Sequence, residues 1–440
     1  MVGHIAGVPR RWAAVRRPGG IGYTLGAWAV EAIKRRPGRA DNRAMLTRPV
    51  RPFAALLALS LAVAVAIPAR AAEFKIRGLL DVVAAPRGEA FDGNLLIRGD
   101  SPLDAYGLRL FGETQANDKL QVFMQVVMRD ATTPYVDGAY ALFTPSPARD
   151  LHLLAGKVPW PIGTWAPRTY SNKNPLIGAP LMYQYHSTLL WYEVVPSADA
   201  LLATSGSGQY GVNYFGYREG RGMTLVDDSY WDVGATLVGS ERPFEYALGV
   251  GTGTPGWGTT SQEENGGKSL LGRVGLAPLP GVRFGVSAAY GQYLIERLES
   301  RLPPGARIGD FHQKLALADL ELLYGHAELR AEGAHNVWET PTVGDLRVRS
   351  GYAELKYALP FGAFVAGRYD VMRFGRILDS GGQLRPWDSD LSRIETGVGY
   401  RFSRDALAKL VYQRTSYDVS PNPAVPADRD LVAGQLSFAF

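Results

Sequence analysis

Leu431-Val-Ala-Gly-Gln-Leu-Ser-Phe-Ala-Phe440 reads as a β-strand running into the last residue of the sequence. Leu436, Phe438 and Phe440 fall on one face and Gln435, Ser437 and Ala439 on the other, the two-residue alternation of a strand with one apolar side. The ends of soluble domains are usually polar and frayed. A terminal strand with large apolar groups along one face calls for an apolar medium to cover them.

The same alternation extends backwards through the chain. From residue 73 on, segments of roughly 8–12 residues alternate apolar with polar positions, separated by alternately short and long connections. They are Phe74–Val83, Leu103–Gln115, Leu120–Arg129, Gly138–Thr144, Leu151–Val158 and Trp231–Ser240. Next come Phe244–Gly253, Lys268–Ala277, Val282–Tyr293, Lys314–Tyr324 and Ala327–Val337. Leu346–Ala358, Ala363–Phe374, Leu391–Phe402, Ala406–Tyr417 and Leu431–Phe440 complete a set of sixteen. No apolar run past residue 73 is long enough to span as a helix. The expected fold is therefore all-β: an antiparallel barrel that crosses a membrane, with short turns at one end and long loops at the other.

Charges keep to one face of these strands. Val122, Met124, Val126 and Met128 oppose Gln121, Gln125 and Arg129, and Leu329 and Ala331 oppose Glu328, Arg330 and Glu332. Val365, Tyr369 and Val371 oppose Arg368 and Asp370; Ile394, Val398, Tyr400 and Phe402 oppose Arg393, Glu395 and Arg401. An Arg or Lys facing lipid at the bilayer midplane costs about 2–4 kcal/mol, so the charged faces are expected to line a wet lumen of mixed sign. By the same reading, Arg at Val398 should impair folding and Gln at Arg393 should not. Tyr324, Tyr357, Tyr400 and Phe402 sit near short turns, where an aromatic girdle belongs. One strand breaks the pattern: Arg347 and Arg349 are out of phase with Glu354 and Lys356, as a bulge would make them.

The amino-terminal end reads as an export signal. Arg48 and Arg51 precede an uncharged run from Phe53 to Ile67, and Ala69-Arg70-Ala71 forms a small-x-small cleavage site. Residues 45–72 are thus expected to be a signal peptide and 73–440 the barrel. Residues 1–44 are a basic extension without strand pattern, upstream of Met45 as the expected true start. Residues 1–72 hold 12 Lys+Arg and, as acids, only Glu31 and Asp41. Of 47 basic and 42 acidic residues, 35 and 40 then remain in 73–440, a formal charge of −5 in place of +5. The alkaline balance belongs to the extension, and a nucleic-acid partner is not expected. The sequence has no cysteine, which suits export through an oxidising compartment.

The longest connection, residues 159–230, is rich in Trp and Tyr (Trp160, Trp165, Tyr170, Tyr183, Tyr185, Trp191 and Tyr192), so it can pack rather than float. It is expected to fold into the lumen, with Arg168, Lys173 and His186 as candidate groups at a constriction, where rings of charge select ions. A further hairpin such as Gln209–Tyr217 would raise the strand count.

The terminal strand resembles the closing strand of bacterial outer-membrane barrels, in which Leu436, Phe438 and Phe440 would be the signal read by the barrel-assembly machinery. Gly156-Lys-Val-Pro-Trp-Pro-Ile-Gly163 resembles a Gly-Lys…Pro-Phe-Gly segment of porins of the phosphate-selective O/P family, with Ile162 in place of the aromatic. The resemblance implies a passive outer-membrane channel for small hydrophilic solutes or ions, a homotrimer, lipid as surroundings and no cofactor.

Three other classes stand beside this one. An active receptor-transporter needs a large plug domain ahead of the barrel, whereas here the first strand is expected directly after the signal. A barrel hydrolase needs a nucleophile beside a base; among His152, His186, His312, His326 and His335, only His335 beside Asn336 merits attention, and no nucleophile is marked nearby. A structural or adhesive barrel would have the 159–230 loop seal the lumen. No metal-ligand spacing or cofactor motif is present, and Gly251-Thr-Gly253 opens no helix. The expected role is a porin, not an enzyme.

Overall fold

A sheet has two edges of unpaired N–H and C=O groups, and closure into a barrel is the one arrangement that removes both. The computed structural model describes residues 74–85, 105–129, 134–146, 148–206, 222–227, 231–257, 265–418 and 428–440, and in it the long strands close on themselves. The expected extension, the signal peptide and the Gln209–Tyr217 hairpin lie outside the described residues, as does the side chain of Arg129.

The barrel strands are β1 (Phe74–Ala84), β2 (Ala105–Asn117), β3 (Leu120–Arg129), β4 (Tyr135–Phe143), β5 (Asp150–Pro159), β6 (Trp231–Glu241), β7 (Phe244–Gly251) and β8 (Ser269–Leu279). They continue as β9 (Val282–Gln292), β10 (His312–Tyr324), β11 (Ala327–Thr340), β12 (Gly344–Ala358) and β13 (Ala363–Phe374). A short hairpin, β14 (Arg376–Leu378) and β15 (Leu384–Pro386), interrupts the count before β16 (Leu391–Arg401), β17 (Ala406–Tyr417) and β18 (Asp428–Ala439). Leaving out that hairpin, sixteen strands form one closed antiparallel barrel in chain order. The hairpin lies within a connection and does not show in the alternation pattern.

The seam joins β1 to β18, with Leu79 opposite Ala439 and Ala84 opposite Gly434. Gly78 N–H donates to the Phe440 carbonyl at 2.7 Å and Phe440 N–H donates back at 3.0 Å. The Phe440 ring lies where a Cβ on Gly78 would stand, so a side chain there would collide with it. Glycine in the first strand and the aromatic in the last are a matched pair. Leu436, Phe438 and Phe440 point outward, 46%, 42% and 69% exposed.

The lower end carries the tight turns and the seam's last residue. Tyr324, Tyr357, Tyr400 and Phe402 stand exposed on the outer face there, as the girdle reading expected. No bulge occurs in β12: its pairing with β11 and β13 is regular from end to end. Arg347 and Arg349 simply face outward near the upper end, while Glu354 and Lys356 face inward lower down. The alternation is unbroken; what changes along the strand is the medium on each side.

Candidate functional site

Residues 159–206 and 222–227 enter the upper lumen. Trp160, Ile162, Trp165, Leu181, Met182, Tyr185 and Leu189 pack against inward side chains of the wall: Leu315 and Leu317 of β10, Trp338 of β11, Leu346 and Val348 of β12, and Met372 and Phe374 of β13. Each such buried side chain contributes about 1.5–3 kcal/mol of transfer free energy. Within the segment, α1 (Leu181–Gln184) and α2 (Ala198–Ala203) are short turns; the Ser197 hydroxyl caps α2 by accepting from Ala200 N–H at 3.2 Å. Where the segment meets these strands the lumen is an apolar core, which corrects the expectation of a wet lumen throughout. The inner face of the wall is apolar there because it meets the inserted segment.

Beneath the core lies a layer of buried charge that clamps the segment to the wall. Arg368, wholly buried, donates to Glu354 at 3.2 Å, Asp370 at 3.1 Å and Glu395 at 2.5 Å, and to the Gly178 carbonyl at 2.8 Å. Glu395 in turn accepts from Ile177 N–H at 3.1 Å and Gly178 N–H at 2.8 Å, and Asp370 accepts from Leu181 N–H at 3.1 Å. Glu332 accepts from Thr164 N–H at 2.6 Å, from the Thr164 hydroxyl at 2.7 Å and from the Tyr183 hydroxyl. Lys409 donates to the carbonyls of Ser171, Asn174 and Leu176 at 2.9, 3.0 and 2.7 Å. On the far wall, Tyr170 donates to Gln125 at 2.8 Å. Buried charges persist only when paired and hydrogen-bonded, and here the loop backbone supplies much of what the carboxylates need.

Of the basic groups expected at a constriction, Arg168 is buried and paired with Glu354, not with a loop carboxylate such as Glu193. Its guanidinium stacks on the Trp165 ring at 4.9 Å from the centroid, and Arg368 lies at 5.7 Å from the same ring. His186 is half-buried, its Nδ1 2.8 Å from the Gly222 carbonyl oxygen, and so belongs to the segment's own packing. Lys173 presents an exposed side chain. Arg168 and His186 are held by the interior of the plug, a placement that residue type alone does not convey.

Glu328, Arg330, Glu332, Arg368, Asp370, Arg393, Glu395 and Arg401 all alternate onto the lumen face, in two groups. Glu332, Arg368, Asp370, Arg393 and Glu395 are buried in the clamp. Arg393 is 1% exposed and donates to Thr415 at 3.2 Å, Gln184 at 3.0 Å and the Ala179 carbonyl at 3.3 Å. Gln at Arg393 therefore removes contacts to the segment, contrary to the expectation of a neutral change.

The second group lines a lower vestibule. Arg330 pairs with Glu321 at 2.7 Å and Glu328 at 3.1 Å, Lys356 with Glu328 at 2.8 Å, Arg273 with Asp319 at 2.7 Å and Arg283 with Glu245 at 2.6 Å. Lys75, Lys173 and Arg401 have no carboxylate partner among the described residues; Arg401 reaches only the Asn172 and Arg404 carbonyls, both at 3.4 Å.

Above the membrane-spanning strands, Asp388 ties the segment to the β15–β16 connection. It accepts from Thr188 N–H at 2.7 Å, Gly206 N–H at 2.7 Å and the Tyr185 hydroxyl at 3.3 Å. Burial pushes its carboxyl up to about 6, against the opposing pull of those backbone donors. Sequence reasoning missed Glu354, Lys409 and Asp388. Strict alternation along β12 and β17 marks the first two, whereas nothing local marks Asp388. His335 and Asn336 point to opposite faces, His335 outward and Asn336 inward to accept from Gln313 at 2.8 Å, so the pairing a hydrolase would need is not assembled.

The barrel fold is shared with solved structures. An anion-selective porin from Comamonas acidovorans superposes with a TM-score of 0.53 at 11% identity, over 84% of this chain and 100% of that one. OmpT of Vibrio cholerae, in a trimer form, gives 0.50 at 9% identity over 84% and 100%. The fold is that of an outer-membrane porin. At these identities the likeness is one of architecture alone. No protein-family model matches the sequence, and no curated protein does.

Proposed function

We propose that the protein is a diffusion channel of the bacterial outer membrane that passes small hydrophilic solutes with a preference for anions, and that it works by transport rather than catalysis. The observation carrying this reading is the clamped segment. A sixteen-stranded barrel left empty would enclose a wide aqueous channel, and Trp165, Arg168 and their neighbours occupy that space in a fixed geometry. The lower end faces the periplasm. The vestibule's charges pair off, leaving Lys75, Lys173 and Arg401 as uncompensated positive groups on the solute path. The resemblance of Gly156–Gly163 to phosphate-selective porins points the same way. A trimer assembled through the machinery that reads Phe440 is part of the proposal, in line with the trimer form of the Vibrio OmpT structure.

The test is single-channel recording of residues 73–440 in a planar bilayer under a salt gradient. The expected result is small, stable conductance steps with an anion-directed reversal potential that Lys173→Glu shifts toward cations. A second reading, a sealed structural barrel, is favoured by the bonds the segment makes to opposite walls, at Gln125 and at Glu332. Silent recordings from protein shown to be folded by heat-modifiable gel mobility would decide for it.

A further inference from the structure

The segment's apolar core is one-sided. Its wall partners come from β8–β13, β16 and β17, and among the described residues none comes from β1–β7. On that other wall stand three rings that take no part in the core. Phe123 of β3 and Tyr140 of β4 are directly opposite in register, three residues above the lower ends of their strands. Their centroids are 5.2 Å apart and their planes 19° from parallel. Trp231, at the upper end of β6, follows at 6.2 Å from Tyr140 and 32° from its plane. All three residues are half-buried.

Glycines make room for the rings. Cζ3, Cε3 and Cη2 of Trp231 lie 2.5, 2.7 and 2.7 Å from where a Cβ on Gly138 would stand. Three joined ring atoms at nearly one distance place that point above the ring plane, so the indole lies flat over the strand and turns its other face to the lumen. Opposite Tyr140 on the next strand is Gly156, at φ +129°, a conformation that glycine adopts without strain. Opposite Gly156 is Gly234, so this row carries no side chain beside the Tyr140 ring. From the segment, Tyr170 reaches the same wall: its hydroxyl bonds Gln125, and its ring meets Phe111 of β2 edge-on at 5.5 Å. Asp137 and Asp232 on this wall are buried and already hydrogen-bonded, to Gln125 at 2.9 Å and to the N–H groups of Val233 and Gly253 at 2.8 Å.

A series of near-parallel π faces, running from the vestibule towards the upper end of the wall, is a surface on which a planar ring can stack and pass from one face to the next. Aromatic pairs prefer offset-stacked or edge-on arrangements with centroids about 4.5–7 Å apart, the spacing that the track itself shows. We propose that this track binds the ring of flat aromatic carboxylates, with the carboxylate left in the water of the lumen. The choice of an anion rests on the channel reading above; the stacking does not.

The test is saturation-transfer NMR on the folded barrel in micelles, with benzoate and cyclohexanecarboxylate as probes of equal charge and similar size and empty micelles as the blank. Benzoate is expected to bind about 2- to 10-fold more tightly. Tyr140→Leu and Trp231→Leu should each reduce that preference, whereas Tyr140→Phe, which keeps the ring face, should retain it. Should Tyr140→Leu not fold, Trp231→Leu at the strand end carries the test. Equal binding of the two probes to the unmodified protein overturns the proposal, as does an unchanged preference in the folded Leu variants. Displacement of benzoate by methyl glucoside would make the track a sugar site and overturn the proposal too. In planar bilayers the same preference should appear in the permeability ratio of the two anions. A silent barrel that still prefers benzoate fails the channel reading alone, and a conducting barrel without the preference fails the track alone.

Discussion

The two halves of the lumen follow opposite rules. In the upper half, Leu317, Trp338, Val348 and Met372 meet Trp165, Leu181 and Met182, and the interior resembles a soluble domain whose shell is the barrel wall. In the lower half, Arg273, Arg283, Arg330 and Lys356 pair with carboxylates of neighbouring strands and leave water-accessible space. The boundary is the clamp of Glu332, Glu354, Arg368, Asp370 and Glu395. A barrel can thus carry a packed core and a polar vestibule in series on the same strands. The dividing layer must satisfy both, with charged groups from the wall and backbone groups from the segment.

Breaking the boundary should have the largest effect. Arg368→Met leaves Glu354, Asp370 and Glu395 without their shared cation, and removing one partner of a buried ionic network costs about 3–5 kcal/mol. Urea-driven unfolding in lipid should show that loss, with larger conductance steps as the segment leaves the lumen. Unchanged stability and conductance would mean that the clamp does not hold the segment.

A smaller and pH-dependent effect is expected at the top of the core. Because burial raises Asp388 from the usual carboxyl range to about 6, its contribution to stability is complete below the unfolded value near 3.8 and is lost as pH rises through about 6. Protection of the Thr188 and Gly206 amides against hydrogen exchange, taken relative to the base-catalysed intrinsic rate at each pH, should be greater at pH 5 than at pH 7.5. Asp388→Asn should flatten that dependence; an equal slope in the variant would assign it to another group.

The smallest effect belongs to the lower half. Arg283 and Glu245 are 49% and 27% exposed, and a solvent-screened pair of this kind is worth about 0–1 kcal/mol. Arg283→Gln should leave the unfolding midpoint nearly unchanged while moving ion selectivity. A large loss of stability there would erase the contrast between the halves.

The barrel was legible in the sequence because alternation is local: Leu436, Phe438 and Phe440 announce their face without reference to any distant residue. Strand ends are less legible. β4 starts at Tyr135 and not Gly138, and β11 runs to Thr340 and not Val337, since the pattern fades where loops take over the pairing. The long segment was recognisable as a packing element from its Trp and Tyr content. Its contacts were not, because Arg168 meets Glu354 and Lys409 meets Ser171 across 186 and 238 residues of sequence. A basic residue that lines a pore and one buried under a tryptophan look alike in one dimension. Arg347 and Arg349 were legible as a break in charge placement, and the regular register of β12 turns that break into an outward cationic row.

Those long separations also set a condition on assembly. Glu354, Arg368, Glu395 and Lys409 lie on β12, β13, β16 and β17, so the segment meets its full set of partners only when those four strands stand side by side. The seat of the segment is thus a property of the assembled wall and of no single strand in it.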